Sequence, residues 1–133
     1  MQAGNSRKHV SQRGLLCAAA CLGALSGPAT GAWPEKPIRM VVPYATGASA
    51  DVSARQLIQK MSELLGQQVF ADNRGGASGI VGTESVKKSA PDGYTIMYAT
   101  AQTHAINKGL FDKLPYDPVS DFSAIGQIGR AHV

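Results

Sequence analysis

The stretch Ile38-Arg-Met-Val-Val-Pro-Tyr-Ala-Thr-Gly-Ala-Ser-Ala-Asp51 connects a short apolar run to a helical pattern through a loop that contains glycine. Its first five residues have the composition of a strand, and apolar side chains recur at helical spacing from about Ala50 to Leu65. Ser49 is the expected N-cap of this helix, and Gly66 is placed to end it. The stretch therefore predicts one strand, a tight loop and one long helix.

The same order of elements continues along the chain. A second strand is predicted at Gln68–Ala71, a helix at about Gly79–Ser89 with Ser78 as its N-cap, and a third strand at Tyr94–Ala99. A short helix is expected at Ala105–Leu110. Strands that alternate with helices in this way predict an α/β fold with a doubly wound parallel sheet.

Three loops that follow the predicted strands form the candidate site. They are the first loop, Pro43–Asp51, the second loop, Asn73–Gly79, and the third loop, Thr100–His104. In an open parallel sheet such loops meet at one edge, where unpaired amide groups and helix N-termini face the same space. We therefore expect the site to bind a small anion.

Each loop contributes different donors. Gly47 permits the close approach of a ligand to the first loop, and the glycines of the second loop allow a concave nest of amide groups. The hydroxyl groups of Ser78 and Thr103 are further donors. Two roles stay open for Asp51, which either complements the positive end of the helix dipole or orients a ligand or a water molecule.

Arg74 and His104 each allow two interpretations. Arg74 is either a counter-ion for the anion or a residue paired locally with Asp72. His104 is either an acid or base or a structural residue, and the structural role is favoured because it stands alone. No second histidine, cysteine or carboxylate lies at the spacing of a triad or a metal site. The sequence therefore predicts no catalytic residue, no metal site and no cofactor.

Residues 1–32 have the pattern of a secretory signal peptide. Basic residues precede the uncharged run Leu15–Leu25, and small residues suit cleavage near Gly31 or Ala32. The run is too short for a membrane span, which needs about 20 apolar residues. A lipoprotein processed before Cys21 is the alternative. Cys17 and Cys21 are the only cysteines, and both lie in the segment that is removed, so the exported protein is expected to lack a disulfide. It is also expected to lack a membrane span.

The charge balance changes when this segment is set aside. The chain has 13 Lys and Arg residues and 9 Asp and Glu residues, and three of the basic residues lie in the predicted signal peptide. The rest of the chain has ten basic and nine acidic residues, and it contains few aromatic residues. This composition gives no support to nucleic-acid binding.

Five segments carry a more specific signal: Trp33–Tyr44, Gly47–Arg55, Asp72–Arg74 with the glycines after it, Ala90–Thr95 and Leu114–Phe122. In their order and spacing they resemble the extracytoplasmic solute receptors of tripartite tricarboxylate transporters, the Bug family. The resemblance extends from Trp33 to about Gln127. It implies a type II periplasmic-binding-protein fold in which residues 33–127 form part of the first of two lobes.

The resemblance also implies a function. It indicates a periplasmic receptor, not an enzyme, that closes on a small carboxylate and delivers it to the permease subunits of a membrane transporter. Backbone amides and ordered waters of the first two loops would hold the carboxylate. With the third loop included, the expected ligand-binding residues are Tyr44, Thr46, Gly47, Ala48, Ser49, Asp51, Gly75, Gly76, Ala77, Ser78, Gly79, Ile80, Thr103 and His104. The family usually has a second glycine where this chain has Ala48, which is expected to alter ligand preference.

Members of this family are more than twice as long, so we expect the chain to stop within the first lobe. Its last six residues, Ile128–Val133, are what a common sequencing-library adapter encodes, and we interpret residues 128–133 as an assembly artefact. The alternative is that Gln127–Gly129 begins a fourth strand.

Two other classes of function stay open at this point. A secreted carboxylate-sensing adaptor for a signalling partner would have the same sequence features. A Rossmann-type nucleotide-binding enzyme is disfavoured, because the first loop lacks both the G-x-G-x-x-G and the G-x-x-x-x-G-K-[ST] patterns.

Overall fold

The computed structural model describes Gly31 and residues 33–129. Apart from Gly31, the predicted signal peptide and its lipoprotein alternative at Cys21 lie outside the described residues, as do residues 130–133 of the proposed artefact. Within the part of the chain that is described, no helix combines the length and the apolar character that crossing a bilayer requires.

Parallel strands and helices alternate along the described residues. The elements are β1 (Ile38–Val42), α1 (Ser49–Leu65), β2 (Val69–Asn73), α2 (Ile80–Lys87), β3 (Thr95–Met97) and α3 (Asn107–Leu110). A 3₁₀ turn, Ala77–Gly79, precedes α2, and one turn of π-helix, Gln102–Ile106, precedes α3. The strands form one parallel sheet in the order β2-β1-β3. The predicted α/β class and parallel sheet are confirmed.

The central strand, β1, is paired on both sides. Ile38 lies opposite Val69 of β2, and Met40 lies opposite Ile96 of β3. Strands of a parallel sheet are rich in apolar residues where helices cover the faces of the sheet, and only Arg39 interrupts the apolar run of β1. The side chains of Ile38, Met40, Val41 and Val42 are accordingly all buried.

Helix α1 packs on the sheet through the face that the sequence predicted. Ala54 is fully buried in the core, and the partly buried side chains packed against that core include Leu57, Ile58, Met61 and Leu65. Gly66 follows the helix in the left-handed conformation, at φ 64°. Both the apolar face and the glycine stop are therefore confirmed.

Several element boundaries differ from the predicted ones. β2 extends to Asn73 because Asp72 and Asn73 still pair with Val41 and Val42. β3 is shorter than expected because its pairing with β1 covers only residues 39–41 of that strand. The last helical segment begins at Gln102, since the π-helical turn adds residues before α3.

Both predicted serine N-caps are wrong. Ala48 occupies the N-cap of α1, Ser49 is its first helical residue, and no side chain caps the helix. Gly79 occupies the N-cap of α2 at φ 82°. Ser78 lies inside the preceding 3₁₀ turn at φ 56°, which moves the start of α2 beyond the reach of its hydroxyl group.

Candidate functional site

The three loops contact one another at the carboxyl edge of the sheet. A Cβ atom on Gly75 of the second loop would lie 3.2 Å from the amide nitrogen of Ala45 in the first loop. The hydroxyl groups of Tyr44 and Thr100 share a hydrogen bond that joins the first loop to the third. The structure therefore brings the predicted loops to one place.

Asp51 is buried at the start of α1, with 1% of its surface exposed. Its Oδ2 accepts hydrogen bonds from Arg55 Nε at 2.9 Å and from the Gly47 amide at 2.8 Å, and its Oδ1 accepts one from Asn73 Nδ2 at 2.8 Å. These bonds, that of Arg55 first and that of Gly47 second, lower the pKa of Asp51 from 3.8 to about 2. Asp51 thus fixes the first loop, and a direct contact with a ligand stays a prediction.

The rim of the first loop is open to solvent. Thr46, Gly47 and Ser49 are exposed, and Tyr44 and Ala48 are half-buried. The first amide groups of a helix have no partner within the helix, and no side chain caps α1. The N-terminus of α1 therefore presents amide groups and the positive end of the helix dipole at this rim.

The second loop has an unusual backbone. Four consecutive residues have positive φ: Gly76 at 125°, Ala77 at 46°, Ser78 at 56° and Gly79 at 82°. Residues 75–78 are exposed, and among the described residues no backbone acceptor bonds to their amide groups. These amide groups are therefore available to a ligand.

The end of the second loop has a different character. The amide of Gly79 donates to Gly76 O at 2.9 Å, and the amide of Ile80 donates to Ala77 O. Gly79 is buried, and a Cβ atom there would lie 2.8 Å from Cγ2 of Thr103. Packing requires glycine at this position, and ligand contacts by Gly79 and Ile80 stay predictions.

Arg74 is paired locally with Asp72, as one of its two interpretations stated. Its Nε lies 2.8 Å from Asp72 Oδ2, the same oxygen that lies 3.4 Å from Arg39 Nη1. Two guanidinium groups thus share one carboxylate beside the second loop. The described residues contain no group of three or more His, Cys, Asp or Glu side chains placed to hold a metal ion.

The third loop holds its own polar groups inward. Thr103 is fully buried, and its hydroxyl group bonds to Thr100 O at 3.1 Å and to His104 Nδ1 at 3.0 Å. The ring of His104 is half-buried against Phe122, with 5.2 Å between the ring centroids. Burial lowers the pKa of His104, so its neutral form is favoured. These contacts fit the structural role better than that of an acid or base.

Sequence reasoning missed three polar residues that connect the loops: Asn73, Asn107 and Tyr116. Asn73 Nδ2 donates to Tyr44 O at 3.2 Å in addition to its bond with Asp51. Asn107 is fully buried and donates to Ser78 O and to the hydroxyl group of Tyr116. The one sequence signal for Asn107 is its position four residues after Thr103, which would place both on one helical face.

The chain matches a model of the tripartite tricarboxylate transporter family receptor over residues 53–133. A UPF0065 protein of Bordetella bronchiseptica is 40% identical over 115 residues, which cover 85% of this chain and 34% of that protein. Protein BugT of Bordetella pertussis is 38% identical over 98 residues, covering 73% of this chain and 30% of its own length. This chain therefore spans about a third of the length of these relatives.

Solved structures resemble the fold as well. MatC from Rhodopseudomonas palustris with bound malate aligns with a TM-score of 0.66 at 37% identity, over 68% of this chain and 31% of that one. An R. palustris protein solved with adipate aligns with a TM-score of 0.63 at 37% identity, over 65% of this chain and 29% of that one. Over about two thirds of this chain, the fold is therefore shared with periplasmic solute-binding proteins.

Proposed function

Because the chain belongs to the tripartite tricarboxylate transporter family of receptors, we propose that the protein containing it captures a small carboxylate in the periplasm and delivers it to a membrane permease. Residues 33–127 would be part of the first of two lobes, and residues 1–32 would be removed on export. The family consists of solute-binding receptors rather than enzymes, and its receptors are periplasmic.

One observation carries the proposal. The exposed amide groups of residues 75–78 lie beside the first loop, where the uncapped N-terminus of α1 also has free donors. Donors of this kind suit the oxygen atoms of an anion. The nearby guanidinium groups of Arg55 and Arg74 are paired with Asp51 and Asp72. Backbone groups, rather than a side-chain cation, would therefore hold the ligand.

The chemistry of these donors favours a carboxylate. A carboxylate has two oxygen atoms that each accept more than one hydrogen bond, which matches a cluster of amide donors. MatC was solved with malate and a second R. palustris protein with adipate, and both ligands are dicarboxylates. In a two-lobed receptor, the second carboxylate group of such a ligand would be bound by the other lobe, which the described residues do not form.

Isothermal titration of the full-length protein that contains this chain tests the proposal. The titrants are malate, adipate and citrate, and the diamide of malate serves as an uncharged control. We expect saturable binding of at least one carboxylate and none of the diamide. Absence of binding by all three carboxylates, in a protein that melts cooperatively, would exclude the proposed ligand class.

Delivery to a permease needs a separate experiment. Uptake of the labelled ligand is compared in cells with and without the permease subunits of a tripartite tricarboxylate transporter, in the presence of this receptor. We expect uptake to require both components. Unchanged uptake together with altered transcription of target genes would instead support the carboxylate-sensing adaptor.

A further inference from the structure

We infer that Asn107 is a positioning residue that fixes the conformation of the second loop and couples that loop to the third. The expected effect of Asn107 on ligand binding rests on the proposed function. Its expected effect on the loop conformation depends on the geometry alone. Asn107 lies at the start of α3, outside the three loops, and the residues expected to contact the ligand do not include it.

The side chain of Asn107 is fully buried and all of its polar groups are used. Its Nδ2 donates to Ser78 O at 3.0 Å and to the hydroxyl group of Tyr116 at 3.2 Å, and its Oδ1 accepts a hydrogen bond from Gln102 Nε2 at 2.7 Å. A primary amide has two N–H donors and one carbonyl acceptor. An aspartate at this position would keep the acceptor and lose both donors.

The bond to Ser78 holds one peptide plane from both sides. The carbonyl of Ser78 accepts from Asn107, and the amide at the other end of the same peptide bond, that of Gly79, donates to Gly76 O at 2.9 Å. Because a peptide unit is rigid and planar, these two bonds set its orientation. The fixed peptide unit directly follows the one that carries the Ser78 amide, and its bond to Gly76 O closes the turn, so it restrains the segment that carries the exposed amides of residues 76–78.

The same network reaches the third loop. Tyr116 is buried, and its hydroxyl group donates to Thr103 O at 2.7 Å while it accepts from Asn107. Thr103 in turn bonds to Thr100 and His104. Asn107 and Tyr116 therefore connect Ser78 of the second loop with the backbone of the third loop.

The test uses the full-length protein with the substitution Asn107→Asp. Two quantities are measured: the backbone amide resonances of residues 76–79 without ligand, and the affinity for malate. We expect those resonances to shift or broaden and the affinity for malate to fall at least tenfold. The resonance of Gly66, at the other end of the sheet, is expected to stay in place.

The matched control is Ser62→Ala. Ser62 Oγ donates to Ile58 O at 2.8 Å and accepts from the Val69 amide at 2.9 Å, so its loss also removes partly buried hydrogen bonds. Because this site lies at the amino end of β2, away from the loops, the control is expected to lower stability without changing the resonances of residues 76–79 or the affinity for malate. A general effect of reduced stability is thereby separated from a positioning effect.

Resonances of residues 76–79 that stay unchanged in Asn107→Asp would overturn the inference, and so would unchanged affinity for malate. If Asn107→Asp does not fold, Tyr116→Phe decides, because it keeps the ring and removes only the hydroxyl group. Tyr116→Phe is expected to shift the resonances of Ser78 and Gly79, and unchanged resonances would overturn the inference. If the wild-type protein binds neither malate nor adipate, the proposed ligands are wrong, and the ligand-free resonances alone decide the role of Asn107.

Discussion

Asn73 Nδ2 donates a hydrogen bond of 2.8 Å to Asp51 Oδ1, which joins the end of β2 to the first helical turn of α1. The other oxygen of the same carboxylate accepts a hydrogen bond from the Gly47 amide. One buried acid therefore fixes both the path of the first loop and the distance of the first loop from the second loop. The shape of the candidate site therefore depends on the ionised form of Asp51.

The first prediction concerns pH. The pKa of Asp51 is about 2 in the folded protein and near 3.8 in the unfolded chain, so its ionised form adds stability above about pH 4. That stability is lost as the pH falls from about 4 through about 2. Asp51→Asn should lower the melting temperature at pH 7 and reduce the further loss between pH 4 and pH 2.5. Thermal melts at pH 7, pH 4 and pH 2.5 provide the measurement, and parallel pH profiles of variant and wild type would contradict the assignment.

The second prediction compares two glycines with nearly equal φ, Gly79 at 82° and Gly47 at 85°. A Cβ atom on Gly47 meets nothing within 4 Å, whereas one on Gly79 would lie 2.8 Å from Thr103 Cγ2 and 3.3 Å from Pro43 Cβ. Gly47→Ala should lower the free energy of unfolding by about 1 kcal/mol, through backbone strain alone. Gly79→Ala should lower it by about 3 kcal/mol, because overpacking is added. Urea denaturation measures both, and equal losses would contradict the packing argument.

The third prediction concerns ligand binding. Gly76 has a φ of 125° on the exposed rim of the second loop, and a β-branched side chain there would strain the backbone and block close approach to the neighbouring amides. Gly76→Val should abolish measurable binding of malate and adipate by titration. Gly66→Val is the matched control, since Gly66 also has positive φ, has no neighbour within 4 Å of a Cβ atom and lies at the end of α1. Unchanged affinity in Gly76→Val would exclude the second loop as the ligand site.

The fourth prediction concerns His104. Burial lowers its pKa below 6.5, so the neutral ring adds stability that is present above about pH 6.5 and is lost as the pH falls through the folded value. Glutamine keeps a hydrogen-bonding group near Thr103 but has no such titration. His104→Gln should change malate affinity by less than about threefold, which corresponds to well under 1 kcal/mol. The affinity is measured at pH 7.5, and a tenfold loss without a fall in melting temperature would make His104 a ligand contact.

Local patterns predicted the scaffold. The buried run Ile38–Val42 and the apolar face from Ala54 to Leu65 are defined by spacing within a few residues, and the structure has both as expected. The meeting of the three loops also followed from local information, because parallel strands place the loops after them at one edge. Arg74 and Asp72 lie two residues apart, so their ion pair could also be predicted from the sequence.

The sequence alone could not predict the true N-caps of the helices or the polar network, for physical reasons. Whether Ser78 caps α2 depends on the 3₁₀ turn before it, and that turn is shaped by packing against Thr103 in another part of the chain. The hydrogen bond between Asn107 and Ser78 spans 29 positions. Contacts at that separation depend on how the elements pack, which periodicity within a segment does not describe.

The side-chain bridges between loops have a thermodynamic consequence. Tyr44 bonds to Thr100, Asn73 bonds to Tyr44 O, and Asn107 bonds to Ser78 O, so each loop is restrained by another before any ligand arrives. Binding normally loses free energy in ordering mobile groups. Here the donors are preorganised, and little conformational entropy is left for the ligand to remove from these loops. Affinity should therefore depend mainly on how well the ligand oxygens match fixed amide positions, and poorly matched anions gain little from adjustment of the loops.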